Sequence, residues 1–171
     1  MNTPSLTPDD GARAVTGLDA IAAMRLELLT ATRFKLHIHL PTLPASVLSS
    51  EAELAELRRI AISGRGAEIR VLLGNPSAAL RTGHRLIDLA QRLPSVLQIR
   101  SPAHDEDENG IKNASSWLLN DASGYLFQPD ADRWEGRAAL RDGPGQAPLL
   151  LQFEQIWERA APASQLQALG L

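Results

Sequence analysis

Strands that alternate with helices, then give way to a strand pair and a last helix, predict an α/β fold with a mixed, mostly parallel sheet flanked by helices on both faces. Three stretches carry that expectation. FKLHIHL, ending at Leu40, sets Leu36, Ile38 and Leu40 to one side and Lys35, His37 and His39 to the other, the period-2 pattern of a strand. AEIRVLL, Ala67 to Leu73, ends in near-continuous apolarity, as a strand covered on both faces does. ASSWLLN and GYLFQ are short apolar runs separated by Asp121-Ala-Ser-Gly124, which reads as a hairpin.

Residues 1–15, with prolines, a glycine and an Asp-Asp pair, read as a mobile lead-in to one domain over 16–162, with 163–171 as a tail. Thr16, with Asp19 three residues later, starts a helix whose apolar stripe is Leu18, Ile21, Met24, Leu28 and Ala31. The strand that follows stops at Pro41 and Pro44. Ser50 and Glu53 form a capping box for a second helix with Leu54, Leu57 and Ile60 on its apolar face and Gly64 as its stop. After Leu73, Asn75 is a cap and Pro76 a first helical residue. The helix they open carries Leu80, His84, Ile87 and Ala90 on one face and ends before Pro94. SVLQIR is a further strand, and the segment from Pro102 to Gly110 is an acidic loop. Beyond the hairpin, a loop rich in Gly and Pro is expected from Gln128 to Ala147. Pro148 then opens a last helix that buries Leu149, Phe153, Ile156 and Trp157, and Pro162 ends it.

Composition narrows the chemistry. The 171 residues are 44% apolar and 22% charged, a globular balance with no apolar run long enough to span a membrane. The N-terminal stretch has neither a basic region nor an apolar core, so the default expectation is a cytoplasmic protein. The absence of cysteine removes disulfides, iron–sulfur clusters and thiol nucleophiles. Seventeen basic residues against 20 acidic ones, net charge −3, argue against nucleic acid as the general partner, although a local basic patch would escape that count.

Several residues are candidates for chemistry. Asp121 closes an apolar run, a position where catalytic aspartates of α/β proteins often sit. Lys112 lies just upstream and is one of two lysines, with Lys35. His37 and His39 point to one side of a strand, a geometry that can hold a transition metal, but two ligands are too few for a site. The run from His104 to Asn109 offers oxygen donors without the spacing of an EF-hand, so no metal is expected there. Arg70, Arg81, His84 and Arg85 are candidates for an anion site near a helix that follows Leu73-Gly-Asn-Pro-Ser77; the Gly-Lys-Ser/Thr ending of a phosphate loop is missing, and no cofactor is expected. Ser115, Ser116 and Ser123 lack a nucleophile elbow and a paired base. Trp134, in the polar stretch DADRWEGR, is a candidate contact for a partner or else folds back over the sheet.

With these residues in view, the pattern over about residues 17–160 resembles one half of a phospholipase D-like fold. The early strand at Leu36–Leu40, the segment AEIRVLLGNPSAALRTGHRLIDLAQRL and the final helix with Phe153 and Trp157 carry the topological part. KNASSWLLND, Lys112 to Asp121, stands where that superfamily places its His-x-Lys-x4-Asp motif. Aligned on Asp121, the motif's lysine falls on Ser116 and its histidine on Ala114. Alanine cannot form the phosphohistidine and serine cannot supply the charge that holds a phosphate oxygen. The resemblance therefore implies a degenerate half: a catalytically inactive domain with a binding, regulatory or assembly role. Full enzymes of the superfamily pair two halves across a common site, which implies a homodimer or docking on a partner protein. Two alternatives stay open: a phosphodiesterase that uses a relocated constellation of Asp121, Lys112 and His37 or His39, and a phosphate- or nucleic-acid-binding module built on the arginines.

Overall fold

The computed structural model describes residues 11–102 and 115–163. Its spine is an eight-stranded sheet in the order β1-β7-β6-β5-β2-β3-β4-β8. The strands are β1 Arg13–Thr16, β2 Lys35–Leu40, β3 Glu68–Leu73, β4 Leu97–Ser101, β5 Ser116–Asn120, β6 Tyr125–Gln128, β7 Glu135–Ala139 and β8 Ala161–Pro162. The helices are α1 Leu18–Ala31, α2 Glu51–Ala61, α3 Pro76–Arg81, α4 Arg85–Arg92 and α5 Gly143–Arg159.

Alternation along each strand decides which helix covers which face. Leu36, Ile38 and Leu40 of β2 join Ile69, Val71 and Leu73 of β3 in a core completed by Ile21, Met24 and Leu28 of α1 and Leu54, Leu57 and Ile60 of α2. Leu86, Ile87 and Leu89 of α4 extend that core on the same face. On the opposite face Leu72, Trp117, Leu119 and Tyr125 pack under Leu149, Phe153, Ile156 and Trp157 of α5. Helices thus flank both faces, as the sequence predicts.

The sheet is mostly antiparallel rather than mostly parallel. Among the described residues only β2–β3 and β3–β4 run parallel, joined by the crossovers that carry α2 and α3–α4. The pairs β1–β7, β7–β6, β6–β5, β5–β2 and β4–β8 are all antiparallel. Short described connections force that direction on the pairs β5–β6 and β6–β7. Three further strands come from segments the pattern assigns elsewhere, the shortest being Ala161–Pro162, expected as the end of the last helix, which pairs with β4. Arg13–Val15, expected within the lead-in, and Thr16, expected to start the first helix, form β1 and pair with β7 at the sheet edge. β7 itself lies inside the expected loop from Gln128 to Ala147, where Gly136 approaches the Phe127 carbonyl so closely that no side chain fits.

Helix boundaries show where local chemistry is decisive. Ser50 accepts from the Glu53 N–H at 3.1 Å and its hydroxyl donates to the Glu53 carboxylate, the expected capping box. Asn75 caps α3 through the Ala78 N–H, as expected. The single helix expected from Pro76 to Pro94 is two, however. Gly83 adopts the left-handed region at φ 66°, and His84 becomes the N-cap of α4, its Nδ1 accepting from the Leu86 N–H at 3.0 Å. α1 starts at Leu18 rather than Thr16, after Gly17, which has no side chain to cap with; Leu18 is exposed instead of joining the stripe. α5 begins five residues before Pro148, capped by Asp142 through the Gly145 N–H. Among the described residues no helix is long and apolar enough to cross a membrane.

Candidate functional site

Because β5 runs antiparallel to β2, the start of β5 lies beside the end of β2, with His39 opposite Trp117. Ser116 therefore sits where the parallel strands deliver their C-terminal ends, the edge at which open α/β sheets usually hold ligands. On the α1–α2 face of this edge the structure forms a cleft. Leu40, Val47, Leu48, Leu126 and Trp134 make apolar walls, and Arg25, Ser116 and Gln128 contribute polar groups. Its inner space is about 20 Å3, enough for about one water.

Arg25 is the residue the sequence reading passes over. It occupies a stripe position of α1 and is only 5% exposed. Its Nε donates to Glu53 Oε2 at 2.5 Å, and Glu53 Oε1 accepts from the Ser50 hydroxyl at 2.9 Å. The capping box of α2 therefore also fixes a buried ion pair between α1 and α2. The signal was present in AIAAMRLELL: a charged residue among apolar ones at core spacing needs a buried partner.

Asp121 belongs to the other end of the strand. Its carboxylate accepts from the N–H groups of Arg33 (2.9 Å), Phe34 (2.7 Å) and Lys35 (3.1 Å) at the entry to β2. Burial alone would raise its pKa, but these backbone donors outweigh it and hold the carboxyl below its ordinary value. Five residues of strand, roughly 17 Å, separate it from Ser116. Asn120 extends the clasp: Nδ2 donates to the Leu28 carbonyl and Oδ1 accepts from Ala122 and Gly124. Lys112, Ala114 and the acidic run from His104 to Asn109 lie outside the described residues.

His37 and His39 do share a side of β2, but it is the α5 face, opposite the cleft. The His37 ring packs against Phe153 with centroids 4.8 Å apart, and His39 stacks on Trp117 at 4.4 Å while its Nδ1 meets the Ser115 carbonyl at 3.0 Å. Burial lowers both pKa values to about 4; Glu68 pulls that of His37 upward, Arg70 and Lys35 push it down, and the Ser115 carbonyl opposes the shift of His39. Both rings are neutral near pH 7. Among the described residues no three metal-ligating side chains converge.

The four anion candidates are divided by the sheet. Arg70 projects to the α5 face, where its guanidinium lies 5.2 Å from the Trp157 ring and Nη2 pairs with Glu68 at 2.7 Å. Arg81 and Arg85 are exposed on α3 and α4, which pack on the other face. Both nitrogens of His84 are engaged, Nδ1 with the Leu86 N–H and Nε2 with the Pro44 carbonyl at 3.1 Å; burial lowers its pKa against the pull of that carbonyl. Even residues of β3 face α5 and odd ones face α4, so the quartet is not assembled. Trp134 folds back: it is half-buried against the core, its carbonyl accepts from the Gly17 N–H at 2.7 Å, and its side chain borders the cleft.

Residues 17–169 match a family described as Domain of unknown function (DUF7931). No curated protein matches in sequence. Among solved structures, Nuc from Salmonella typhimurium, a phospholipase D family member, superimposes with a TM-score of 0.63 at 8% identity, over 89% of this chain and 97% of that one. TrmBL2, described as an archaeal chromatin protein with a novel mode of DNA binding, gives a TM-score of 0.63 at 16% identity, over 94% of this chain and 56% of that one. The chain thus spans nearly all of Nuc and little more than half of TrmBL2. At such identities the likeness establishes the fold, which is phospholipase D-like.

Proposed function

We propose that this chain, which belongs to the DUF7931 family, is a catalytically inactive phospholipase D-like domain with a binding, regulatory or assembly role. The observation that carries the reading is the residue set around Ser116. A serine faces the cleft where the superfamily's motif has its lysine, the sequence has alanine at the histidine position, and among the described residues no histidine borders the cleft. A phosphodiesterase needs a nucleophile or an activated water and a cation on the phosphate. Among the described residues the cleft offers one guanidinium, already paired with Glu53, and no base. A relocated constellation finds little support, because Asp121 is engaged with backbone at the far end of β5 and both strand histidines are packed beneath α5.

Full enzymes of the superfamily join two halves, so the reading extends to a homodimer or to docking on a partner protein. Purified protein incubated with a chromogenic phosphodiester, beside an Asp121→Asn variant, tests the catalytic part. The expected result is no turnover in either sample. Turnover that disappears in the variant would overturn the reading in favour of a relocated site.

A further inference from the structure

The Arg25 guanidinium has five N–H donors, and the fold uses one nitrogen. Nε is committed to Glu53, which is itself held by Ser50, so the group is fixed along that edge. Its terminal nitrogens find no acceptor among the described residues, although the side chain is only 7% exposed and borders the cleft. Donors in a mostly apolar cleft are met by water or by an acceptor that displaces it. The two terminal nitrogens of a guanidinium form a planar fork matched to two oxygens of a carboxylate or phosphate.

We infer that the cleft beside Ser116 binds the acid end group, carboxylate or phosphate, of a small molecule with an apolar body, with Arg25 as the recognition residue. The inner space of about 20 Å3 takes about one water, so one oxygen of the acid replaces that water while the rest of the end group sits at the mouth of the cleft. Leu40, Val47, Leu126 and Trp134 then supply the wall along which an apolar body leaves the cleft. Thr42, Ser116 and Gln128 are the further polar residues that line the cleft. Glu53 holds Arg25 in place and limits the net charge at the site, so binding depends on the fork's directionality as well as on attraction. The inference rests on the binding role proposed above and names its ligand class.

Isothermal titration with hexanoate, hexyl phosphate, inorganic phosphate and hexanamide tests it. Saturable binding of hexanoate or hexyl phosphate is expected, with the two arms deciding which acid is preferred. Inorganic phosphate, lacking the apolar body, and hexanamide, lacking the charge, should bind at least about tenfold more weakly. Arg25→Lys should weaken the favoured acid by about tenfold or more, because an ammonium cannot form the fork. Ser116→Leu leaves the Arg25–Glu53 pair untouched and should abolish binding by filling the cleft; it carries the test should the Arg25 variant not fold. The proposal is overturned if neither acid binds saturably, if hexanamide binds as tightly as the acids, or if a folded Ser116→Leu or Arg25→Lys protein binds like the parent. Phosphodiester turnover by the parent protein would defeat the non-catalytic reading and leave this result standing; absence of acid binding would defeat this inference alone.

Discussion

Three backbone N–H groups, those of Arg33, Phe34 and Lys35, converge on the Asp121 carboxylate and tie the turn after β5 to the start of β2. Asp121→Ala removes three charge-assisted acceptor contacts at once, and a loss of about 1–3 kcal/mol is expected in urea unfolding, with the fold retained. An Asp121→Ala protein as stable as the parent would show that the clasp contributes nothing. Arg25 and Glu53 present the opposite case, since their pair is buried rather than at the surface. Glu53→Ala leaves a buried guanidinium without its carboxylate and also removes half of the capping box, so a loss of about 3–5 kcal/mol is expected in the same measurement. Residue identity alone made Asp121 look chemical and left Arg25 unremarked. Spacing reveals which side of an element a residue occupies, but not which distant backbone or carboxylate meets it there; Asp121 and Arg33 are 88 positions apart.

At the scale of elements, β2 concentrates the pH dependence of the fold. His37 and His39 have pKa values of about 4 in the folded state, against 6.5 for an ordinary histidine, because burial disfavours the charged ring. The unfolded chain therefore binds protons more readily below pH 6.5. The stability these rings allow is complete above that pH and is lost as pH falls toward about 4, at up to about 1.4 kcal/mol per pH unit for each ring. His84 at the start of α4 acts in the same direction. Urea midpoints measured from neutral pH downward should fall over this window, and a flat profile would contradict the burial of the two rings. α5 is the one helix on its face among the described residues, and Phe153 is its fully buried anchor. Phe153→Ala is expected to lose about 3–5 kcal/mol in thermal or urea unfolding. These elements were legible to different degrees. The β2, β3 and β5–β6 patterns are readable because alternation and turn chemistry agree, whereas β7 carries small residues where it is buried, Ala138 and Ala139, and a glycine chosen by close approach. The break between α3 and α4 rests on one left-handed glycine inside an otherwise periodic stretch.

For the whole molecule, the α/β class and the placement of helices on both faces follow from the order of elements, while strand direction does not. A helix between consecutive strands gives a parallel pair only when the two strands become neighbours, which among the described residues holds for β2–β3 and β3–β4 but not for β1 and β2 or β7 and β8. The candidate site was legible at Ser116, through the superfamily motif it departs from, and illegible at Arg25, whose partner lies on another helix. Light scattering on the purified protein should show the mass of two chains if the domain self-pairs as the proposed assembly role allows; a single-chain mass would redirect that role to a different partner. The central claim is that this phospholipase D-like fold performs no phosphodiester chemistry. Its most direct test is release of nitrophenolate from bis(p-nitrophenyl) phosphate at equimolar protein, followed from about pH 5 to pH 8, where a general acid or base would titrate. The account predicts release no faster than in buffer at every pH; release above buffer that tracks the amount of folded protein would contradict it.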